Sequence, residues 1–180
     1  MISQVAQFHD AFGVKRGKVD VELRYKLFKE EFEEYKDAKD LVERADAIVD
    51  MLYIACGTLD VHRWEYEQDY DDDLRYDEDF TLECIEGLLD LYRRHDDAYE
   101  IEVIITYILD LAYHNNILDI LPELFNEVHA SNMSKLDKNG KPIINDGILD
   151  PRKPIGKILK SELFFEPKLK EILERYERIK

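Results

Sequence analysis

Two consecutive segments of the chain carry carboxylates at helical spacing, an ExxE pattern followed by an ExxD pattern. The side chains concerned are Glu30, Glu31, Glu34, Glu43 and Asp46. Carboxylates that are gathered out of water repel one another and lose hydration, so they need cations nearby. Oxygen ligands of this kind suit a hard divalent metal such as Mg²⁺. The two motifs therefore predict a metal site.

The first motif lies on a predicted amphipathic helix. With about 100° of rotation per residue, Glu31 and Glu34 continue an apolar stripe that Leu23 and Leu27 begin. Glu30 borders the same stripe. Because an apolar stripe normally faces the core, we expect these acids to face inward.

The second motif lies on a segment that is apolar almost all the way round, which is typical of a buried helix. On this helix Glu43, Asp46 and Asp50 share an arc of about 60°. Unpaired charge is costly inside a protein, so three acids on one side of a buried helix indicate a charged partner. Asp50 therefore joins the candidate site residues.

Structural roles can account for some of these acids singly. Asp40 can cap the second helix, with Glu43 as the reciprocal capping-box acid. The acids of the first helix can pair with lysines one turn away. Neither role explains why Asp46 and Asp50 occur together on an apolar helix, so the metal interpretation fits the whole set better.

Length and composition favour one all-α domain over residues 1–180. The chain is long enough to bury a core, is 45 % hydrophobic and contains only 7 Gly and 5 Pro. Lys and Arg number 25 against 41 Asp and Glu, giving a net charge of −16. This balance argues against duplex nucleic acid or an anionic membrane as a partner, since both require a basic face. A nucleotide can still bind through a metal.

The chain offers no recognisable signal peptide and no apolar run of bilayer length, so we expect a cytoplasmic protein. Cys56 and Cys84 lie in apolar helical contexts and are expected to be buried thiols rather than a disulfide or metal ligands.

Apolar periodicity predicts seven helices. They cover residues 2–12, 20–37, 40–56, 81–94, 98–114, 116–130 and 167–179. Gly57 is expected to end the third helix. The acid-rich segment 69–79 is expected to be a solvated loop, and 137–160 is loop-like.

A second group of polar residues follows the sixth helix. Ser131, Asn132, Ser134 and Lys135 offer hydroxyl, amide and ammonium donors, and a lysine in such a segment suits an anionic phosphate. The same residue types also serve as ordinary caps and turns. On its own this segment is a weak indication of phosphate binding.

Together, the acids and the polar segment resemble the MazG-like all-α nucleoside triphosphate pyrophosphohydrolases, in particular the phosphoribosyl-ATP pyrophosphohydrolase-like and dUTPase-like branch. The likeness covers residues 5–58 and about 116–167. It is carried by 7–13, 24–35, 43–53 with Gly57, 127–135, 140–142 and 156–160. The resemblance implies a four-helix-bundle-type fold, here with a helical insert at about 60–112.

The resemblance also implies residue roles. Glu31, Glu34, Glu43 and Asp46 would be the Mg²⁺ ligands, with Mn²⁺ as a possible substitute, and Glu30 would orient or deprotonate the attacking water. The expected substrate-binding residues are Asn132, Lys135, Asp50, Tyr53, Lys157 and Lys160. An incomplete four-helix core would be completed by a homodimer or higher homo-oligomer.

The implied reaction is hydrolysis of a (d)NTP to a monophosphate and pyrophosphate, with a deoxypyrimidine nucleotide as the expected substrate. Two alternatives remain open. The substrate can instead be phosphoribosyl-ATP, or the chain can be a non-catalytic helical protein that binds a nucleotide or a metal.

Overall fold

A computed structural model describes residues 1–65, 76–150 and 158–178. The all-α fold class is confirmed for these residues. The helices are α1 (Ile2–Phe12), α2 (Val21–Asp37), α3 (Leu41–His62), α4 (Glu78–His95), α5 (Ala98–His114), α6 (Leu121–Met133) and α7 (Leu169–Glu177). Two short strands, β1 (Ile143–Ile144) and β2 (Ile158–Leu159), pair antiparallel, with Ile143 opposite Leu159.

Helix α3 is the centre of the molecule. It packs against α2 and α5 on one side and against α1, α6 and α7 on the other. Its buried residues include Ala45, Ile48, Leu52 and Leu59, each fully enclosed. A helix with neighbours on several sides buries most of its circumference, which explains why its sequence is apolar almost all the way round.

Helices α2 to α5 form a four-helix bundle within one chain. Helix α4 packs on α2, α5 packs on α3, and α4 and α5 pack on each other. The predicted insert therefore supplies two of the four bundle helices. Because α4 and α5 complete a four-helix arrangement within one chain, the homodimer that was expected to complete the core stays a prediction.

Aspartate side chains begin four of the helices. Asp20, Asp40, Asp77 and Asp97 each accept hydrogen bonds from backbone N–H groups of the first helical turn. Such caps satisfy donors that have no partner within the helix, and each is worth about 1 kcal/mol. The predicted cap at Asp40 is confirmed.

Gly57 does not end α3, contrary to prediction. The helix continues to His62 and ends where Arg63 adopts the left-handed conformation. A Cβ at Gly57 would lie 3.2 Å from the ring of His9 and 3.2 Å from Val5. Gly57 is therefore a packing residue that lets α1 approach α3 closely, and a glycine in a helix pattern does not by itself distinguish packing from termination.

Other boundaries differ in detail. A 3₁₀ turn, Leu118–Ile120, precedes α6, so the sixth helix begins later than predicted, with Pro122 in its first turn. The strand pair lies within the region expected to be loop. Most of the predicted acidic loop lies outside the described residues. Both cysteines are free; Cys56 is buried as predicted, whereas Cys84 is only partly buried. In the parts of the chain described, no helix is long and apolar enough to cross a membrane.

Candidate active site

The short turn between α2 and α3 brings the two acid motifs together. Three of the acids, Glu31 on α2 and Asp46 and Asp50 on α3, are partly buried. Burial raises the pKa of Glu31 to about 8, and the negative charges of Asp50, Glu34, Glu30 and Asp46 raise it further. Five of the predicted site acids thus act on one another electrostatically.

The two aspartates of α3 respond in the same direction. Burial, followed by the charge of Asp46, raises the pKa of Asp50 to about 7, while Lys135 opposes this shift. Burial, followed by the charges of Glu34 and Glu166, raises the pKa of Asp46. Carboxylates whose charged form is disfavoured in this way have too little positive charge nearby, which is the condition that a bound cation relieves.

The expectation that all the acids face the core was wrong. Glu30, Glu34 and Glu43 are exposed. The core face of α2 consists of Phe28, Phe32 and Tyr35. The stripe that was taken for the core face runs beside it, and its first member, Leu23, is 50 % exposed.

Two of the exposed acids, Glu34 and Glu43, border an open cleft of about 610 Å³, and Glu30 is not part of its lining. Its lining includes Glu34 from α2 and both Glu43 and Asp46 from α3. The acids therefore meet at a surface where a ligand can reach them directly, rather than in a closed interior.

Glu43 has a structural role as well. Its Oε2 accepts a hydrogen bond from the backbone N–H of Lys39 at 2.7 Å. The carboxylate thus satisfies a donor just before α3, close to the predicted capping-box arrangement, in which the acceptor would serve Asp40. Of the four predicted metal ligands, Glu43 is the one whose carboxylate holds local backbone structure.

Helix α6 presents the predicted substrate-binding residues to α3. Lys135 Nζ donates to Asn132 Oδ1 at 2.6 Å, and both side chains are partly buried. Burial lowers the pKa of Lys135, while the charge of Asp50 opposes this. Burial raises the pKa of Tyr53, and the amide of Asn132 opposes this. Asp50 and Tyr53 of α3, Asn132 of α6 and Lys135 just after α6 therefore lie together beside the other acids.

A turn at residues 160–166 is fastened to the end of α6. Ser131 Oγ donates to the backbone oxygen of Phe165 at 2.8 Å, and Ser161 Oγ donates to that of Ser134 at 2.8 Å. The hydroxyl of Ser134 accepts from the N–H of Phe165 at 3.2 Å. The two serines of the polar segment, offered above as possible phosphate donors, thus hold this turn in place.

The same turn carries Lys160, another predicted substrate-binding residue. Its Nζ donates to Glu166 Oε1 at 2.6 Å and lies 4.1 Å from the ring centroid of Phe164. Its charge contributes to the lowered pKa of Lys135, so the two ammonium groups act on one another. Lys157, the remaining member of the predicted set, lies outside the described residues.

The chemistry of the acids fits a hard divalent cation, but their geometry is not that of a closed cage. Among the described side chains, no three of His, Cys, Asp or Glu converge closely enough to hold a metal ion. Mg²⁺ commonly keeps several waters and is held by one or two carboxylates together with substrate phosphates. An open cleft with unneutralised carboxylates is compatible with that mode of binding.

Comparison with known families adds an independent finding. Residues 5–69 match the family model described as Phosphoribosyl-ATP pyrophosphohydrolase, which belongs to the MazG-like all-α NTP pyrophosphohydrolase superfamily. The predicted resemblance to this superfamily is confirmed for residues 5–69. The matched domain is a pyrophosphohydrolase, a hydrolase acting on phosphoric anhydride bonds, and this supports a nucleotide pyrophosphohydrolase activity in general. Comparisons with curated proteins and with solved structures gave no match.

The MazG-like match covers about a third of the chain, α1 to α3, and therefore both acid motifs. The polar segment after α6 lies beyond it. What brings that segment to the acids is the packing of α6 on α3.

Two residues of this MazG-like site were not singled out from the sequence. His129 Nδ1 lies 3.0 Å from the hydroxyl of Tyr53. It belongs to residues 127–135, one of the segments that carry the resemblance. The charge of Glu166 helps to raise the pKa of Asp46 and opposes the lowering of the pKa of Lys135. Glu166 is distant from both residues in sequence. Nothing in the local pattern around Glu166 distinguishes it from other surface glutamates, so only the fold could find it.

Proposed function

We propose that this protein is an Mg²⁺-dependent pyrophosphohydrolase that converts a nucleoside triphosphate to a monophosphate and pyrophosphate. The observation that carries the proposal is the set of electrostatically coupled acids, Glu31, Asp46 and Asp50 among them, beside the lysine and amide of α6. A triphosphate with its metal supplies both charges that this arrangement calls for. The metal compensates the acids, and the phosphates compensate the lysines.

In this proposal Glu31, Glu34, Glu43 and Asp46 hold the metal, with Mn²⁺ as a possible substitute. The metal, when bound, withdraws charge from the phosphates and acidifies a water. Lys135 and Lys160 hold phosphate oxygens, and Asn132 fixes the direction of the Lys135 ammonium through their hydrogen bond.

The remaining steps fall to the other predicted site residues. Glu30, which is exposed on α2 one turn before Glu34, receives the proton of the attacking water. Asp50 and Tyr53 lie on the side toward α6, where they contact the sugar or the base. Holding the reacting groups in line and stabilising phosphate charge accounts for most of the rate enhancement in phosphoryl transfer.

Two substrate classes compete within this reaction. A deoxypyrimidine triphosphate is the first candidate, on the resemblance alone. Phosphoribosyl-ATP fits about as well, because the matching family model carries that description. Both contain the α–β phosphoric anhydride that the site would cleave.

The test is pyrophosphate release from a panel of all common NTPs and dNTPs and from phosphoribosyl-ATP, with Mg²⁺ and with a chelator. Mg²⁺-dependent release from one class supports the reaction and identifies the substrate. If no compound of the panel yields pyrophosphate at high protein concentration, the proposal is contradicted. Nucleotide binding without product would then favour a non-catalytic binding protein.

Matched variants locate the site. Glu34→Gln is expected to remove Mg²⁺-dependent turnover. Glu22→Gln is the control on the same helix, since Glu22 lies in the first turn of α2, does not line the cleft and pairs with Arg93 at 2.8 Å. Equal activity of the two variants would contradict the assignment of the metal site.

A homodimer stays part of the proposal as an untested prediction, although the bundle no longer requires one. Sedimentation equilibrium over a range of protein concentrations measures the association directly. A monomer at the concentration used in activity assays would contradict it.

A further inference from the structure

One polar cluster takes a side chain from each of the four bundle helices. Its members are Tyr35 of α2, Arg44 of α3, Glu78 of α4 and Asn115 at the end of α5, and we call them the four-helix node. Glu78 Oε1 accepts from the Tyr35 hydroxyl at 2.5 Å and from Arg44 Nη1 at 3.1 Å. Asn115 Nδ2 donates to the Tyr35 hydroxyl at 2.9 Å. A single carboxylate oxygen of α4 thus joins α2 to α3.

The node lies next to the proposed metal ligands. Tyr35 directly follows Glu34, and Arg44 directly follows Glu43. The Tyr35 ring is buried, with the Arg44 guanidinium 5.5 Å from its centroid. Consecutive residues of a helix move together when the helix rotates or shifts, so contacts that hold Tyr35 and Arg44 also hold the backbone that carries the two acids.

We infer that Glu78 is a positioning residue for the carboxylate site, acting through Tyr35 and Arg44. It sets the rotation of α2 and the separation of α2 from α3 at the level where Glu34 and Glu43 face the cleft. This inference rests on the proposed function, and it gives the predicted insert a role in the reaction without contact with the substrate. Groups that orient metal ligands through a second layer of contacts commonly change metal affinity by about 10- to 100-fold.

Helix α4 also offers a matched control. Glu86 pairs with Lys29 of α2 at 2.6 Å, and the pair is largely exposed. Among the described residues this ion pair joins α4 to α2 and does not involve α3. Lys29 also pairs with Glu33 at 2.8 Å. Removing the Glu86 carboxylate therefore weakens the packing of the same helix without touching the node.

The experiment measures Mg²⁺ binding by calorimetry, together with kcat, the apparent KM for Mg²⁺ and the melting temperature. The variants are Glu78→Ala, Tyr35→Phe, their double variant and Glu86→Ala. We expect Glu78→Ala and Tyr35→Phe each to weaken Mg²⁺ binding by about 10-fold, with kcat at saturating Mg²⁺ unchanged. The double variant should be no weaker than the weaker single one, because both remove the same link. Glu86→Ala should bind Mg²⁺ like the wild type.

The outcomes separate this inference from the proposed function. A wild-type protein that shows neither Mg²⁺ binding nor Mg²⁺-dependent turnover overturns both. A wild type that binds Mg²⁺, with Glu78→Ala and Glu86→Ala alike, overturns the positioning role alone. If Glu78→Ala does not fold, Tyr35→Phe decides the matter, since it removes one hydroxyl and keeps the buried ring. A fall in melting temperature without a change in Mg²⁺ affinity would leave the node a purely structural contact and overturn the inference.

Discussion

Two aspartates of α3 have opposite environments. Near the middle of the helix, Asp50 is partly buried and its pKa is raised to about 7 by burial and by Asp46. Near the end, burial also acts on Asp60, but hydrogen bonds from Arg16 and His9 outweigh it and lower the pKa. The distances are 2.8 Å from Arg16 Nε to Asp60 Oδ1 and 2.6 Å between His9 Nδ1 and Asp60 Oδ2.

The contrast separates two uses of the same residue type. Asp60 is neutralised within the chain, and its contacts fasten α1 and the following loop to α3. Among the described residues, the acids around Asp50 act mainly on one another, which leaves negative charge that a bound cation can compensate. A carboxylate cluster that is destabilising for the folded protein alone is typical of a binding or catalytic site.

Replacing an acid of the cluster should have the largest functional effect. Asp46→Asn is expected to lower kcat/KM by about 100-fold or more, as for other groups that stabilise charge in a transition state. The same change should leave the free energy of unfolding equal or higher, because it removes a repelling charge. Steady-state kinetics and urea unfolding of the same preparation measure both quantities. Loss of stability together with activity would place Asp46 with Asp60 as a structural residue.

Replacing Asp60, the acid that is paired with Arg16 and His9, should lower stability and leave turnover unchanged. Asp60→Asn leaves Arg16 without its strongest partner and is expected to cost about 2 kcal/mol of unfolding free energy, since hydrogen bonds to charged groups contribute that much. Turnover per folded molecule should match the wild type. A large fall in kcat/KM at a temperature where the variant is folded would show that Asp60 and the acids around Asp50 are not independent.

The fastening of α1 to α3 can be tested at Gly57. Gly57→Ala would press a methyl group against the buried ring of His9, and overpacking of this kind costs about 1–3 kcal/mol. Gly87 is the matched control, because no atom lies within 4 Å of a Cβ placed there. Gly87→Ala should stabilise α4 by about 0.5–1 kcal/mol, the usual difference between the two residues in a helix. Thermal unfolding of both variants would reveal opposite shifts, and shifts of the same sign would contradict the packing role of Gly57.

The smallest effect concerns pH without added metal. The pKa of Glu31 is about 8 in the folded protein, whereas its ordinary value is 4.5. Between these two pH values, Glu31 is therefore more often protonated in the folded state than in the unfolded state. Stability should therefore fall as pH rises from about 5 to 8. The pKa of Asp60 is lowered instead, so this group affects the pH dependence of stability in the opposite direction. The stabilisation that its contacts provide is lost only as pH falls below the ordinary pKa near 3.8.

Glu31→Gln should flatten the dependence between pH 5 and 8, as measured by urea unfolding in a metal-free buffer. Mg²⁺ affinity in the wild type should increase over the same range, because the metal displaces the proton from Glu31. A stability curve that Glu31→Gln leaves unchanged would remove Glu31 from the coupled cluster.

The acid motifs could be found from the sequence because helical spacing alone puts them on neighbouring faces of α2 and α3. The sequence did not predict that Glu30, Glu34 and Glu43 are exposed. The spacing of Leu23 and Leu27 predicts a stripe that faces the core, yet Leu23 is half exposed. The face that packs against α3 and the insert is instead the aromatic one, formed by Phe28, Phe32 and Tyr35. Which of two adjacent faces is buried depends on where the other helices pack.

By itself the sequence determined the all-α class, the caps, the positions of the acids and the lysine segment after α6, since each depends on residues within a few turns of one another. Tertiary structure alone decided that α4 and α5 complete the bundle, that Asp60 is paired while Asp50 is not, and that Glu166 and Glu78 lie close to groups far away in sequence. Charge pairing depends on distances of a few ångströms between helices, and local periodicity carries no information about them.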